Sequence, residues 1–326
     1  MKIVEQLPEY IRTLIPYEPG KPIEEVEREY GIAHSIKLAS NENPLGPSPR
    51  ALAAIRAKLG ELNLYPDGDC FYLKNGLAKK LSVAPEQLIF GNGSNEIIEL
   101  AVRAFMRPGD HALMARQAFV VYQLIVQAVG GKSVQIPLRE YTHDLPAIAA
   151  AVTAETKIIF LANPNNPTGT IYRRAEWEKF LAHVPKDVLL IVDEAYFEYV
   201  RDSGYPDSLE YRSEDRPMLT LRTFSKLYGL AGLRIGYGIG PQQIIAMMQR
   251  VRQPFNVNAP AQWAALAALD DIEHVRRSLA VNREGLDFLG DEFKKLAWNS
   301  CRARAISSWC ALARAKRCLS SYSAKP

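Results

Sequence analysis

The sequence predicts an α/β fold: a mostly parallel sheet in a large domain, with a smaller unit toward the C-terminus. Two observations carry this. Between residues 86 and 240, short apolar runs of strand length alternate with segments of helical periodicity, the pattern of strands joined by crossover helices. The 326 residues also exceed what one ordinary core accommodates, so two units are expected.

In chain order, residues 1–35 read as an arm with one short acidic and polar helix over 23–30. Helices are expected at 47–60, after a Pro-rich lead-in, and at 70–81. The strand candidates are 87–90, 111–115, 133–137, 157–161, 188–192, 218–222 and 234–239. Residues 242–252 and 260–269 read as helices separated by a hinge, QPFNVNAP. A long amphipathic helix over 271–295 comes next, with Val275, Leu279, Leu286 and Leu289 among its apolar positions. This divides the chain into the arm, a large domain over 36–255 and a smaller one over 256–326.

Composition narrows the functional classes. Apolar content of 48% and charged content of 23% fit a soluble globular protein. No apolar run approaches the length of a membrane span, and the N-terminus lacks a signal-peptide core. Four cysteines without paired metal spacing fit a reducing cytoplasm, and no metal site is expected. The net charge of +4 comes from the tail: residues 297–326 hold six basic residues and no acid, and without those six the chain has 34 basic residues against 36 acidic. A nucleic-acid reading based on overall basicity is therefore excluded.

Three segments carry chemistry. In TFSKLYGLAGLR (223–234), Lys226 stands between hydroxyl side chains, and Arg234 lies eight residues further on. An amine able to form a Schiff base, together with hydroxyls and a guanidinium able to hold a dianion, suits a phosphorylated aldehyde cofactor. Upstream, KIIFLANPNNPTG (157–169) is an apolar strand ending in a turn, at the sheet edge where open α/β folds bind ligands. DVLLIVDEAY (187–196) is a buried run ending in Asp193. A carboxylate there needs a cation or acts as a helix N-cap, and both readings stand for that residue taken alone.

Together the segments meet the requirements of pyridoxal phosphate. Lys226 would carry the aldehyde as an imine, and Asp193 would keep the ring nitrogen protonated so that the ring can accept electrons. Asn166 and Tyr196 would hydrogen-bond the ring's 3-hydroxyl oxygen, while Thr223, Ser225 and Arg234 would hold the phosphate. Freed by substrate, Lys226 would then serve as the general base.

These motifs resemble those of fold type I pyridoxal-phosphate aminotransferases, and within them most closely the histidinol-phosphate aminotransferase family. NPNNPTG, DEAY and TFSKLYGLAGLR carry the broad resemblance. IPYEPGKPIEEVEREYG (15–31), LASNENPLGPSP (38–49) and LYPDGDCFYLKNGLAKKL (64–81) carry the narrower one, which covers residues 3–295. The resemblance implies that Gly93, Ser94 and Asn95 bind the cofactor phosphate at a helix N-terminus. It implies that Phe119 stacks on the ring, and that Tyr65 reaches the phosphate of a neighbouring subunit in a homodimer. Tyr17 and Asn43 are implied near the substrate. The implied reaction moves the amino group of L-histidinol phosphate to 2-oxoglutarate, giving glutamate. An aromatic amino-acid aminotransferase, a threonine-phosphate decarboxylase and an inactive cofactor-binding protein are the alternatives.

From Ala297 the pattern breaks. The tail holds three of the four cysteines and two of the four tryptophans. It reads as translation in a shifted frame: permissible codon choices convert residues 298–312 into a strand-like segment similar to the family's next strand. The expectation is that 297–326 does not form the small domain's strands, that the family's C-terminal substrate-binding arginine is missing, and that activity is low.

Overall fold

The computed structural model describes residues 2–38 and 40–296, so the readings made for 297–326 lie outside the described residues. The arm contains α1 (Lys2–Glu5), α2 (Glu9–Arg12) and α3 (Ile23–Tyr30), the last closed by Gly31 in the left-handed region. Next come α4 (Pro49–Lys58), with Ser48 accepting from the Ala51 amide as its N-cap, and α5 (Phe71–Leu81).

The alternating region supplies β1 (Leu88–Asn92), α6 (Ser94–Phe105), β2 (His111–Ala115), α7 (Val121–Ala128) and β3 (Lys132–Ile136). It continues through α8 (Leu145–Ala150), β4 (Thr156–Ala162), α9 (Arg174–His183), β5 (Leu189–Asp193), β6 (Met218–Thr223) and β7 (Ile235–Ile239). All seven expected strands form, and each expected boundary is met within two residues.

The strands make one seven-stranded sheet in the order β1-β7-β6-β5-β4-β2-β3. Pairings from β3 to β6 are parallel, whereas β7 runs antiparallel to both β6 and β1. The reason is local. Residues 224–234 hold one short 3-10 turn and no crossover helix, so the chain can return only beside β6 in the opposite direction.

Two apolar clusters cover the sheet's faces. One joins Ile97, Val102, Tyr122 and Met248 to the strands, and the other joins Trp177, Phe180 and Ile148 to them. A third cluster sits beside β1 and β7, where α4 and α5 pack with α11 (Ala259–Ala268), the helix that comes after α10 (Gln242–Val251). Val257, Ala261, Ala264 and Ala265 lie in this cluster with Leu73, Phe224 and Tyr228, so tight packing runs through the boundary expected after residue 255.

The long helix α12 (Ile272–Lys295) starts on Asp271, whose Oδ1 accepts from the His274 amide and whose Oδ2 accepts from Ser48 Oγ at 2.5 Å. Val275 and Leu279 pack on the core, whereas Phe288 and Leu289 further along are exposed. Among the described residues no helix is long and apolar enough to cross a membrane.

Candidate active site

A cavity of about 380 Å³ opens at the carboxyl ends of β4, β5 and β6, opposite the N-terminus of α6. In a parallel sheet this edge gathers the turns that succeed the strands, and the helix end adds unpaired amides. The α6 terminus comes this close because of Gly236 in β7: a Cβ there would stand 2.5 Å from the Ser94 nitrogen. Of the expected residues, Gly93, Ser94, Asn95, Phe119, Asn166, Asp193, Tyr196, Thr223, Ser225, Lys226 and Arg234 all line the cavity.

Lys226 lies just after β6 in a turn in which the Gly229 amide bonds to the Lys226 carbonyl. Gly229 has a φ of 69°, and a side chain there would overlap the Gly46 carbonyl. The lysine Nζ donates to the Ser40 carbonyl at 2.9 Å and lies 5.6 Å from the centre of the Tyr196 ring. Burial lowers its pKa, Glu42 opposes that, and Arg234 lowers it further. The amine therefore loses its proton more readily than an exposed lysine.

Asp193 closes β5 and is 7% exposed. Burial raises its pKa, countered by hydrogen bonds from the Tyr122 hydroxyl (2.6 Å) and the Ala195 amide (3.1 Å) and by the charge on Lys226. The Tyr196 hydroxyl accepts from Asn41 at 3.0 Å and from Asn166 at 3.5 Å. Its own pKa is pushed up to about 12, mainly by burial.

The cationic end of the cavity is built from Arg234, Thr223, Ser225 and the 93–95 turn. Arg234 adopts a φ of 57° and donates to the Ala231 carbonyl, and the Gly93 amide bonds to the Arg234 carbonyl. Thr223 Oγ1 accepts from the Ser225 amide and donates to the Ile235 carbonyl, so its proton faces the backbone.

Three expected residues stand apart from this cavity. Tyr17 is 59% exposed in the extended segment after α2. Asn43 is turned inward: its amide donates to the Leu227 carbonyl (2.8 Å) and to Ser278 Oγ (2.9 Å), and its Oδ1 accepts from the Leu45 amide. Tyr65 is 83% exposed and stacks on Phe255, 4.9 Å between ring centres.

Conversely, Ser40, Glu42, Tyr122 and Pro164 line the cavity without having been singled out from the sequence. The one signal for Tyr122 is its place three residues after Phe119, at the start of α7.

The arrangement matches known proteins. The model of the family described as aminotransferase class I and II matches residues 33–300. A histidinol-phosphate aminotransferase of Caldicellulosiruptor saccharolyticus is 49% identical over 88% of this chain and 80% of its own length. One from Moorella thermoacetica is 51% identical over 88% of this chain and 75% of its own. Among solved structures, the histidinol-phosphate aminotransferase of Sinorhizobium meliloti, in complex with pyridoxal-5'-phosphate, superposes with a TM-score of 0.85. It is 27% identical, over 92% of this chain and 80% of that one. With a half-buried lysine, a strand-end carboxylate and a helix N-terminus meeting at the sheet edge, and with these relatives, the chain belongs to the class I and II aminotransferases and, among them, to the histidinol-phosphate aminotransferase family.

Proposed function

We propose that this chain transfers the amino group of L-histidinol phosphate to 2-oxoglutarate, using pyridoxal phosphate. The observation that carries the reading is the convergence of Lys226, Asp193 and the α6 N-terminus on one cavity, in a chain about half identical to the relatives of that name.

The residues present fit the cofactor. Its dianionic phosphate suits Arg234, Ser225 and the 93–95 turn, where positive charge meets the N-terminus of α6. A protonated ring nitrogen suits Asp193, a nearly inaccessible carboxylate that makes no ion pair with the other described residues. Phe119 and Pro164 offer apolar surface to the ring. When bound, pyridoxal phosphate supplies the electron sink that stabilises negative charge at the substrate's α-carbon.

The chain's own groups do the rest. Lys226, with its pKa lowered by burial, holds and releases the proton that moves at that carbon. Asp193 supplies fixed negative charge, and Tyr196 with Asn166 holds hydrogen-bonding groups over the same wall. Glu42, paired with Lys37 at 2.8 Å, also lines the cavity.

We place the enzyme in the cytoplasm as a homodimer in which Tyr65 completes the partner's site, and we retain the division into arm, large domain and small C-terminal domain. The test is glutamate formation from histidinol phosphate and 2-oxoglutarate, compared with phenylalanine, tyrosine and threonine phosphate as donors. Lys226→Ala should abolish turnover and trapping of the cofactor by borohydride. Preference for an aromatic amino acid, or equal labelling of a different lysine, would overturn the reading.

A further inference from the structure

Tyr122 has no role in the function described above, yet its hydroxyl donates a hydrogen bond to the carboxylate at the centre of the site: Oη lies 2.6 Å from Asp193 Oδ2. The tyrosine is fully buried. Its ring stacks on Phe160 of β4, centroids 4.6 Å apart and planes 6° from parallel, and meets Phe119 edge-on at 5.6 Å. Two aromatic walls thus fix the ring, and the hydroxyl reaches the carboxylate without choosing among rotamers.

We propose that Tyr122 is a positioning residue that keeps Asp193 aimed into the cavity and ionised, so that the carboxylate can pair with the protonated ring of the cofactor. The inference rests on the cofactor reading and extends it to a side chain that touches neither substrate nor reacting atoms.

Geometry supports it in two ways. Asp193 Oδ1 is held by the Ala195 amide at 3.1 Å and Oδ2 by Tyr122, so both oxygens are anchored and the carboxylate plane is set. The titratable groups facing Asp193 are Tyr122 from α7, Tyr196 from the turn after β5 and Lys226 from the turn after β6; the β4 side brings apolar Phe160 and Ala162. Of these, only Tyr122 donates a side-chain hydrogen bond to the carboxylate, opposing the effect of burial. Its phenol is held well above its ordinary pKa and stays a donor at all working pH.

The experiment compares parent, Tyr122→Phe and Asp193→Asn apoproteins, titrated with pyridoxal phosphate across pH and followed by tryptophan fluorescence, with kcat and KM measured on the loaded enzymes. Phenylalanine keeps both ring contacts and removes one oxygen. A lost hydrogen bond to a charged group predicts about a 10- to 100-fold weaker association. The acid limb of binding should move to higher pH, because more of Asp193 is protonated. It also predicts a fall in kcat larger than any change in KM. Replacing Tyr122 by 3-fluorotyrosine, a stronger donor of the same shape, should move the acid limb the other way.

A Tyr122→Phe protein with the parent's affinity and pH profile overturns the inference, as does a fluorotyrosine protein whose limb stays in place. If Asp193→Asn also binds with the parent's pH profile, the cofactor reading falls with it. If only Asp193→Asn departs from the parent, the tyrosine inference falls alone.

Discussion

His143 is fully enclosed beside the loop that carries Asn166. Its Nε2 lies 3.1 Å from Asn165 Oδ1, and its Nδ1 has no hydrogen-bond partner among the described residues. Burial pushes its pKa from 6.5 down to about 4, so the folded protein holds it neutral while the unfolded chain protonates it. The sign comes from proton linkage. The folded-state value is the lower one, so this contribution to stability is complete above pH 6.5 and is lost as pH falls toward 4.

A gap of roughly 2.5 pH units corresponds to about 3 kcal/mol, a large part of a domain's net stability. Glu198 works in the opposite direction. Burial raises its carboxyl from 4.5 to about 7, so it costs stability above that range and returns it on acidification. It is only partly buried, and solvent screening makes its effect the smaller of the two. The two terms mask each other in the parent, so each must be read from a difference.

Urea unfolding should be followed for parent and His143→Gln between pH 6.5 and 4. The stability difference should shift by about 3 kcal/mol in the variant's favour as pH falls. In Glu198→Gln the shift should have the opposite sign and be smaller. A His143→Gln difference that stays constant across the range would refute the claim that burial keeps His143 neutral.

Other perturbations address the site. Asp193→Asn should still bind pyridoxal phosphate but lose about 100-fold or more in kcat, since an uncharged partner no longer stabilises a protonated ring; a rate within twofold of the parent would remove Asp193 from the chemistry. Gly229→Ala should cost about 2 kcal/mol or more, read as a fall in the urea midpoint, because its φ of 69° is strained for alanine and the added carbon meets the Gly46 carbonyl. If the proposed homodimer shares its sites through Tyr65, mixing Tyr65→Ala and Lys226→Ala subunits should restore up to about a quarter of parent activity, since each hybrid dimer would regain one complete site. No recovery after verified subunit exchange would show that Tyr65 does not serve its neighbour.

Strand positions were legible because most β-strands of this sheet are short apolar runs bounded by turn residues, and the lysine, carboxylate and guanidinium stood out by their chemistry. The antiparallel course of β7 was less visible, since direction depends on what connects two strands rather than on the strand itself. Tyr122 was hidden for a different reason: a helical tyrosine among valines and leucines looks like packing until a partner 71 residues away is placed beside its hydroxyl. Asn43 shows the opposite case: the resemblance implied a place near the substrate, and the structure adds that its amide and carbonyl oxygen are both engaged within the fold.

That engagement gives α12 a mechanical character. The helix is pinned at two points about two turns apart: Asp271 to Ser48, and Ser278, through Asn43, to the carbonyl of the residue after the catalytic lysine. Beyond Ser278 the helix extends for roughly four further turns or more. It is a lever with a short anchored arm and a long distal one. A rotation of the helix would therefore strain the Asn43 link and, through it, the backbone beside Lys226.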